Sequence, residues 1–132
     1  ENDATSVTGD DDCDDTHTET GIVKPGGDQD WYQFTGTNNL LLCSPNPKVS
    51  IDKNGLRVCV FAQCTSGTTQ VVCAQGTAQT SPANRDGCCA TGGTAEITLA
   101  CSGLGNPSAN VYIRVDQPGG NACTDYQLTY SY

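Results

Sequence analysis

The stretch Thr124–Tyr132 has the sequence TDYQLTYSY, and its alternation decides the fold class of the chain. Apolar and aromatic side chains occupy every second position from Tyr126 to Tyr132, with polar residues between them. Successive side chains of a β-strand point to opposite faces, so this pattern predicts a strand with one buried face. The stretch Ala109–Asp116 alternates in the same way and predicts a second such strand.

Further short stretches of this kind recur along the chain, separated by Gly, Pro and Asn. No stretch of useful length has the apolar period of an amphipathic helix. The pattern therefore predicts an all-β fold, an antiparallel β-sandwich of the jelly-roll type stapled by disulfides. The irregular stretch Thr77–Gly93 is expected to be a long loop held by disulfides. The predicted strands are Gly21–Lys24, Asp30–Gly36, Asn39–Cys43, Lys48–Asp52, Leu56–Gln63, Thr69–Ala74, Thr94–Cys101, Ala109–Asp116 and Thr124–Tyr132.

The length of 132 residues suits one domain with its own core, so residues 1–132 are interpreted as a single domain with an acidic arm over residues 1–20. The net charge of −9 is local, because ten of the 15 acidic residues lie within residues 1–30. An acidic arm on a neutral body argues against nucleic acid and anionic membranes as partners. The apolar runs are also far shorter than the roughly 20 residues of a membrane helix, so no membrane insertion is expected.

The cysteine content predicts a disulfide framework, because unpaired thiols are a liability in an oxidising environment. Zinc is the alternative, but it requires closely spaced ligand pairs, and the chain has one histidine. Eight pairable cysteines give about four disulfides and leave one sulfur free or intermolecular. Our first candidate for the odd residue is Cys13, followed by Cys43 and one of Cys88 and Cys89. The nine cysteines are Cys13, Cys43, Cys59, Cys64, Cys73, Cys88, Cys89, Cys101 and Cys123.

The chain contains no methionine and begins at Glu1. We interpret it as a mature product whose signal peptide has been removed, and therefore as a secreted protein that is extracellular or on the cell surface.

Residues 26–34 (GGDQDWYQF) resemble the signature of the bacterial pre-peptidase C-terminal domain family, an Asp-x-Asp followed by aromatic residues on an early strand. Residues 1–3 resemble the arm that opens the family, residues 110–115 its penultimate strand, and residues 125–130 its closing strand. The collagen-binding modules of clostridial collagenases are similar. The resemblance implies a secreted β-sandwich without catalysis of its own, usually appended to exported peptidases. The nine cysteines depart from the commonest members and indicate a disulfide-rich branch.

The resemblance also implies a Ca²⁺ site between the acidic arm and the Asp-x-Asp turn, with Asn2, Asp3, Asp28 and Asp30 at the matching positions. Glu1 precedes them, although the glutamates of the family stand further upstream. Ca²⁺ takes about six to eight oxygen ligands, and carboxylates this close together repel one another unless they are neutralised. The alternative is that these acids only solvate the surface.

The run at residues 10–15 is a candidate for a second, weaker cation site with Asp10, Asp12 and Asp14 as ligands. It is not an EF-hand loop, because Asp15 stands where that loop needs glycine and Gly21 where it needs glutamate. A solvated acidic loop is the alternative.

No catalytic residues are predicted, because no nucleophile motif accompanies His17, which is expected to be exposed and without a functional role. The leading hypothesis is a non-catalytic, calcium-stabilised extracellular structural or interaction subunit. It would self-assemble into a polymer or surface layer through exposed strand edges or an intermolecular disulfide. Its partners would be copies of itself, or another extracellular protein or polymer. The alternative is an accessory module that targets an exported peptidase or other hydrolase to a protein or polysaccharide.

Overall fold

The computed structural model describes residues 1–9, 15–37, 46–102 and 108–132, which form strands and connecting turns without a helix. The strands are β1 (Thr5–Ser6), β2 (His17–Val23), β3 (Gln29–Gly36), β4 (Lys48–Ile51), β5 (Arg57–Cys64), β6 (Thr68–Gln75), β7 (Thr77–Thr80), β8 (Asp86–Thr91), β9 (Gly93–Ser102), β10 (Ala109–Asp116) and β11 (Thr124–Ser131).

The strands form two sheets that pack face to face. The six-stranded sheet has the order β1-β3-β10-β5-β8-β7, and the five-stranded sheet has the order β2-β11-β4-β9-β6. Neighbouring strands run antiparallel except β1 and β3, which run parallel. The predicted antiparallel β-sandwich is therefore confirmed.

The core lies between the sheets, where every second side chain of the central strands is buried. On β10, Val111, Ile113 and Val115 are fully buried, and on β11 the same holds for Leu128 and, almost completely, for Tyr130. Burying a side chain of this size contributes about 1.5–3 kcal/mol. The alternation that predicted these two strands is thus the alternation that fills the core.

The outer face of β10 is buried as well, although it carries charge. The Arg114 guanidinium lies 5.6 Å from the ring centroid of Trp31 and 5.8 Å from that of Phe61. Its Nε is 2.9 Å from Oδ2 of Asp116, and Arg57 donates to both oxygens of the same carboxylate at 2.8 Å. A buried charge is tolerated when it is paired, which explains how Arg114 and Asp116 can be buried on this face.

Three disulfides staple the sandwich within the described ranges. Cys59–Cys89 joins the neighbouring strands β5 and β8. Cys64–Cys101 joins β5 to β9, and Cys73–Cys88 joins β8 to β6, so both of these bridges connect the two sheets. The adjacent cysteines 88 and 89 serve different bridges because neighbouring strand residues point to opposite faces. Three such bridges indicate that the chain folds in an oxidising, extracellular type of environment.

The prediction for the odd cysteine is wrong where the structure tests it. Cys88 and Cys89 are both bridged, and among the described cysteines only Cys123, in the exposed connection before β11, is free. Cys13 and Cys43 lie outside the described residues.

The prediction of a loop over Thr77–Gly93 is also wrong, because this stretch forms the hairpin of β7 and β8. Its small residues hide the strand pattern. Gly87, for example, lies so close to the backbone of Val60 and the ring of Phe61 that a Cβ would collide with both. In addition, β2 begins at His17, four residues before the predicted start. Its first four residues are polar and either exposed or half-buried, so they lack the apolar alternation that predicts a strand. The predicted strand Asn39–Cys43 lies outside the described residues.

Over the four described ranges, no helix is long and apolar enough to cross a membrane.

Replacing Cys73 and Cys88 together by alanine removes the bridge between β6 and β8, whose residues are 15 apart in sequence. A bridge that closes a loop of this size lowers the conformational entropy of the unfolded chain, which stabilises the folded state by about 3 kcal/mol. We therefore expect the free energy of unfolding, measured by urea denaturation, to fall by about 3 kcal/mol. The matched control is Cys123→Ala, which breaks no bridge and should change stability by less than about 0.5 kcal/mol. Equal losses of unfolding free energy in the two variants would contradict the assignment of the Cys73–Cys88 bridge.

Candidate functional site

The first residue of the chain is anchored to the turn between β7 and β8. The Glu1 carboxylate accepts hydrogen bonds from Ser81 Oγ and from the Ala83 backbone N–H, both at 3.0 Å, and forms an ion pair with Arg85. Arg85 in turn lies 4.0 Å from the ring centroid of Tyr112 on the outer face of the six-stranded sheet. The Glu1 carboxylate is therefore neutralised by a cation of the chain itself.

The anchored arm brings Asp3 beside Asp30. Strand β1 pairs in parallel with β3, with Thr5 opposite Tyr32. Asp3 precedes β1 by two residues, and it lines one open pocket of about 390 Å³ together with Asp30 at the edge of the sandwich. Two of the four positions that the sequence assigned to a cation are thus neighbours in the fold. The other residues at this pocket are Glu1, Thr5, Gln29, Trp31 and Tyr32.

Asp30 is also the end of a hydrogen-bonded chain that crosses from one sheet to the other. The Tyr126 hydroxyl, on β11, donates to Asp30 Oδ2 at 2.7 Å, and the Tyr32 hydroxyl, on β3, lies 2.7 Å from the Tyr126 oxygen. Because Tyr126 uses its proton on Asp30, Tyr32 is the donor in the second bond. Gly21 faces this pair on β2, and a Cβ there would collide with both hydroxyl oxygens. One oxygen of Asp30 is therefore engaged, and the other is left for a ligand in the pocket.

Burial is the main reason why the pKa values of these two hydrogen-bonded tyrosines are raised. It raises the pKa of Tyr126 far above the ordinary tyrosine value, and the hydrogen bonds to Tyr32 and to Asp30 raise it further. Burial also raises the pKa of Tyr32. Both tyrosines are therefore protonated hydrogen-bond donors at neutral pH, and their raised pKa values extend this state further into alkali.

Asp28 is held by its own turn. Its Oδ2 accepts the Lys24 backbone N–H at 2.9 Å, and the turn between them contains Gly26 and Gly27, both with positive φ. Glycine adopts this left-handed backbone without a steric penalty, which lets the chain reverse immediately before β3. Asp28 thus stabilises the turn that precedes Asp30. It does not line the pocket that Asp3 and Asp30 share.

The predicted cation set is only partly brought together. Asn2 is exposed beside Asp3, whereas Asp28 and Glu1 each have a partner elsewhere. Within the part of the chain that the structure describes, no three His, Cys, Asp or Glu side chains lie close enough to hold a metal ion. Ca²⁺ binding therefore stays a prediction. The second predicted site, with Asp10, Asp12 and Asp14, lies outside the described residues.

A second open pocket, of about 400 Å³, lies on the outer face of the six-stranded sheet. Two hydrogen bonds order its polar lining: Gln33 Nε2 donates to Ser6 Oγ at 3.3 Å, and Thr35 Oγ1 donates to Asn110 Oδ1 at 3.0 Å. Neutral amides and hydroxyls of this kind can bind sugar hydroxyls or peptide groups. Sequence reasoning missed this pocket because its residues come from β1, β3 and β10, which only the sheet order makes neighbours. The remaining lining residues are Val7, Gly9, Phe34 and Tyr112.

His17 is half-buried instead of exposed, as the first residue of β2. Its ring stacks on Tyr130 with 5.3 Å between the centroids. The imidazole is therefore part of the packing at this edge of the five-stranded sheet.

No protein-family model, curated protein or solved structure matches this chain. The resemblance to the pre-peptidase C-terminal domain family rests on the sequence motifs alone.

Replacing Tyr126 by phenylalanine should destabilise the fold, because it leaves the buried Tyr32 hydroxyl without its partner and removes the donor to Asp30. An unsatisfied buried polar group costs about 1–3 kcal/mol, which urea denaturation at neutral pH measures. The control is Tyr112→Phe on the half-buried outer face, for which we expect a change below about 0.5 kcal/mol. A neutral Tyr126→Phe would rule out a stabilising role for the hydroxyl chain.

The same substitution should alter the response to alkali. Tyrosines of the unfolded chain lose their protons near pH 10, whereas the raised pKa of Tyr126 keeps its proton in the folded state. Stability that is fully present below about pH 10 is therefore lost as the pH rises, by about 1.4 kcal/mol per pH unit for each such tyrosine. Because Tyr126→Phe has one such group fewer, its free energy of unfolding should fall less steeply between about pH 10 and 11.

Proposed function

We propose that this protein is a non-catalytic extracellular β-sandwich that serves as a structural or interaction subunit and assembles with copies of itself. The observation that carries the proposal is that each sheet ends in two edge strands, β1 and β7 in one and β2 and β6 in the other. An edge strand presents unpaired backbone donors and acceptors, which are a template for pairing with another chain. The exposed thiol of Cys123 offers a second, covalent route to the same end.

We further propose that Ca²⁺ stabilises the junction of the arm with β3. Asp3 and the second carboxylate oxygen of Asp30 would supply ligands in their shared pocket, and Gln29 and Thr5 offer further oxygens there. These are the hard oxygen donors that Ca²⁺ prefers. The ion would screen the repulsion between two carboxylates that the arm brings together and would fix the arm to the sandwich.

If Ca²⁺ binds at this pocket, adding it should raise the melting temperature and a chelator should lower it. At a concentration a hundredfold above the dissociation constant, binding adds about 2.7 kcal/mol, which corresponds to a rise of about 10 °C for a domain of this size. Asp3→Asn and Asp30→Asn should each abolish the rise, because each removes a carboxylate charge. In Asp30→Asn the amide oxygen can still accept the hydrogen bond from Tyr126.

The control is Asp125→Asn, an exposed acid on β11 outside this pocket, which should melt like the wild type at every Ca²⁺ concentration. A melting temperature independent of Ca²⁺ would exclude the site. Retention of the full rise in Asp30→Asn would place the ion elsewhere.

The second candidate function is an accessory module that targets an exported peptidase or other hydrolase, as the family resemblance implies. The pocket with Gln33, Thr35 and Asn110 favours it, because the groups around it are neutral hydrogen-bonding donors and acceptors on an open sheet face. Such a surface suits an extended polysaccharide or a peptide backbone.

Sedimentation analysis of the full chain, purified without reductant, separates the two functions. A self-assembling subunit increases in mass as the protein concentration rises, both in the wild type and in Cys123→Ser if strand edges are sufficient. A protein that stays monomeric throughout, with and without Ca²⁺, contradicts self-assembly. A monomer that co-sediments with insoluble collagen or cell-wall polysaccharide supports the accessory module instead.

A further inference from the structure

We infer that β6, the last strand of the five-stranded sheet, pairs in antiparallel orientation with β6 of a second copy of this chain. This inference rests on the proposed self-assembly and deepens it by naming the strand that carries the contact. The result is one continuous sheet that runs through both copies.

The four edges differ in how they are protected against pairing. Strand β1 has two residues and β7 has four, and β2 carries His17 and Glu19. Short length and charged side chains are the usual devices that block edge pairing. Strand β6 has eight residues, TTQVVCAQ, with neither a charge nor a proline. It is therefore the long edge that lacks both devices.

The side chains of β6 are also suited to a strand partner. Four of its eight residues are Thr or Val, and such β-branched residues favour the pleated backbone. Val72, near its middle, is 65% exposed and is one of two large exposed hydrophobic residues in the described part of the chain. In an antiparallel pair it would pack against the side chains of the opposite strand.

The geometry of β6 is regular and fixed over most of its length. Its pairing with β9 runs without interruption from Thr68 to Cys73, and the register shifts only between Cys73 and Gln75. Six regular residues give a template of about 20 Å. The disulfide to Cys88 ties the strand to the other sheet. A template that is already ordered loses little conformational entropy when a partner binds.

The uncharged edge continues past β6 into the other sheet. Gly76, with φ of +114°, turns the chain from β6 into β7, whose four residues are all exposed and uncharged. Residues 68–80 therefore form one lateral side of the sandwich without a charged residue. Asp86, the first residue of β8, accepts a hydrogen bond from Thr80 and lines an open pocket with Val71 and Cys73 of β6.

The distribution of charge selects a second copy as the partner. In the described part of residues 1–30, five acids lie on or beside β1, β2 and the start of β3, namely Asp3, Asp15, Glu19, Asp28 and Asp30. Glu1 instead reaches the turn between β7 and β8, where it is paired with Arg85. Strands β1, β2 and β3 belong to the opposite lateral side, since three strands separate β2 from β6, or about 19 Å at the usual strand spacing. That distance exceeds the Debye length of about 8 Å at physiological ionic strength. Pairing through β6 thus keeps these five acids of the two copies apart, whereas pairing through β1 or β2 would bring them together.

An antiparallel contact between identical strands is self-complementary, so one surface suffices for a closed dimer. No unlike partner is needed to balance charge on a strand that has none. The uncharged edge of a protein with a net charge of −9 is therefore the place where two copies meet with the least repulsion.

The experiment measures the dissociation constant of self-association by sedimentation equilibrium, with the full chain carrying Cys123→Ser so that no intermolecular disulfide contributes. Adding Val72→Lys sets like charges across the pair, and we expect the dissociation constant to rise at least about tenfold. The matched control is Ile22→Lys, because Ile22 is 58% exposed on β2, the other edge of the same sheet. It should associate like the background chain.

Circular dichroism and melting temperature establish that each variant is folded. Gln70→Lys, on the same exposed face of β6, serves as a second variant and should weaken association in the same direction. Association that persists in both lysine variants of β6, or that is lost in Ile22→Lys instead, overturns the assignment to β6 while self-assembly stands. A background chain that stays monomeric at every concentration overturns pairing through β6. Self-assembly is overturned as well if the wild type, purified without reductant, also stays monomeric.

Discussion

Burial of strand β10 on both faces is the constraint on which the rest of the structure depends. Its inner face presents Val111, Ile113 and Val115 to the core, and its outer face places Arg114 beside a stacked pair of aromatic rings and beside Asp116. Because β10 lies between β3 and β5, both neighbours are fixed in register along its whole length. The position of β3 sets the Asp-x-Asp turn and the docking of the arm, and the position of β5 sets two of the three described disulfides.

The sandwich has two lateral sides of different chemistry, and both proposals follow from that difference. One side carries β1, the acids Asp3 and Asp30 and the hydrogen-bonded hydroxyls of Tyr32 and Tyr126, which makes it the side where a cation would be useful. The other side, formed by β6 and β7, is uncharged and is held by the Cys73–Cys88 bridge. An uncharged edge and the acids on the opposite side are compatible in one protein because salt screens charges over such a distance.

Sequence reasoning predicted the strands whose pattern is strong and failed where residues are small. The alternation in β10 and β11 predicted their buried faces, because large apolar side chains at every second position leave one arrangement that removes them from water. The hairpin of β7 and β8 escaped prediction because Gly87, Cys88 and Cys89 carry little apolar signal. They are buried by the backbone and ring of β5 and by two disulfides, and none of these is adjacent in sequence. Likewise, no sequence signal distinguished Cys123 from the cysteines that are bridged.

For the candidate site, the sequence shows which residue types are present but not which of them lie close together in the fold. The sequence by itself determined an all-β chain, a disulfide-rich composition and an acidic first quarter, since these follow from local pattern and count. Only the tertiary structure decided that Asp3 meets Asp30, that Glu1 is neutralised by Arg85, and that β6 is the unguarded edge. The physical reason is that strand order, register and edge exposure arise from contacts between distant segments, and local alternation constrains only which face of each strand is buried.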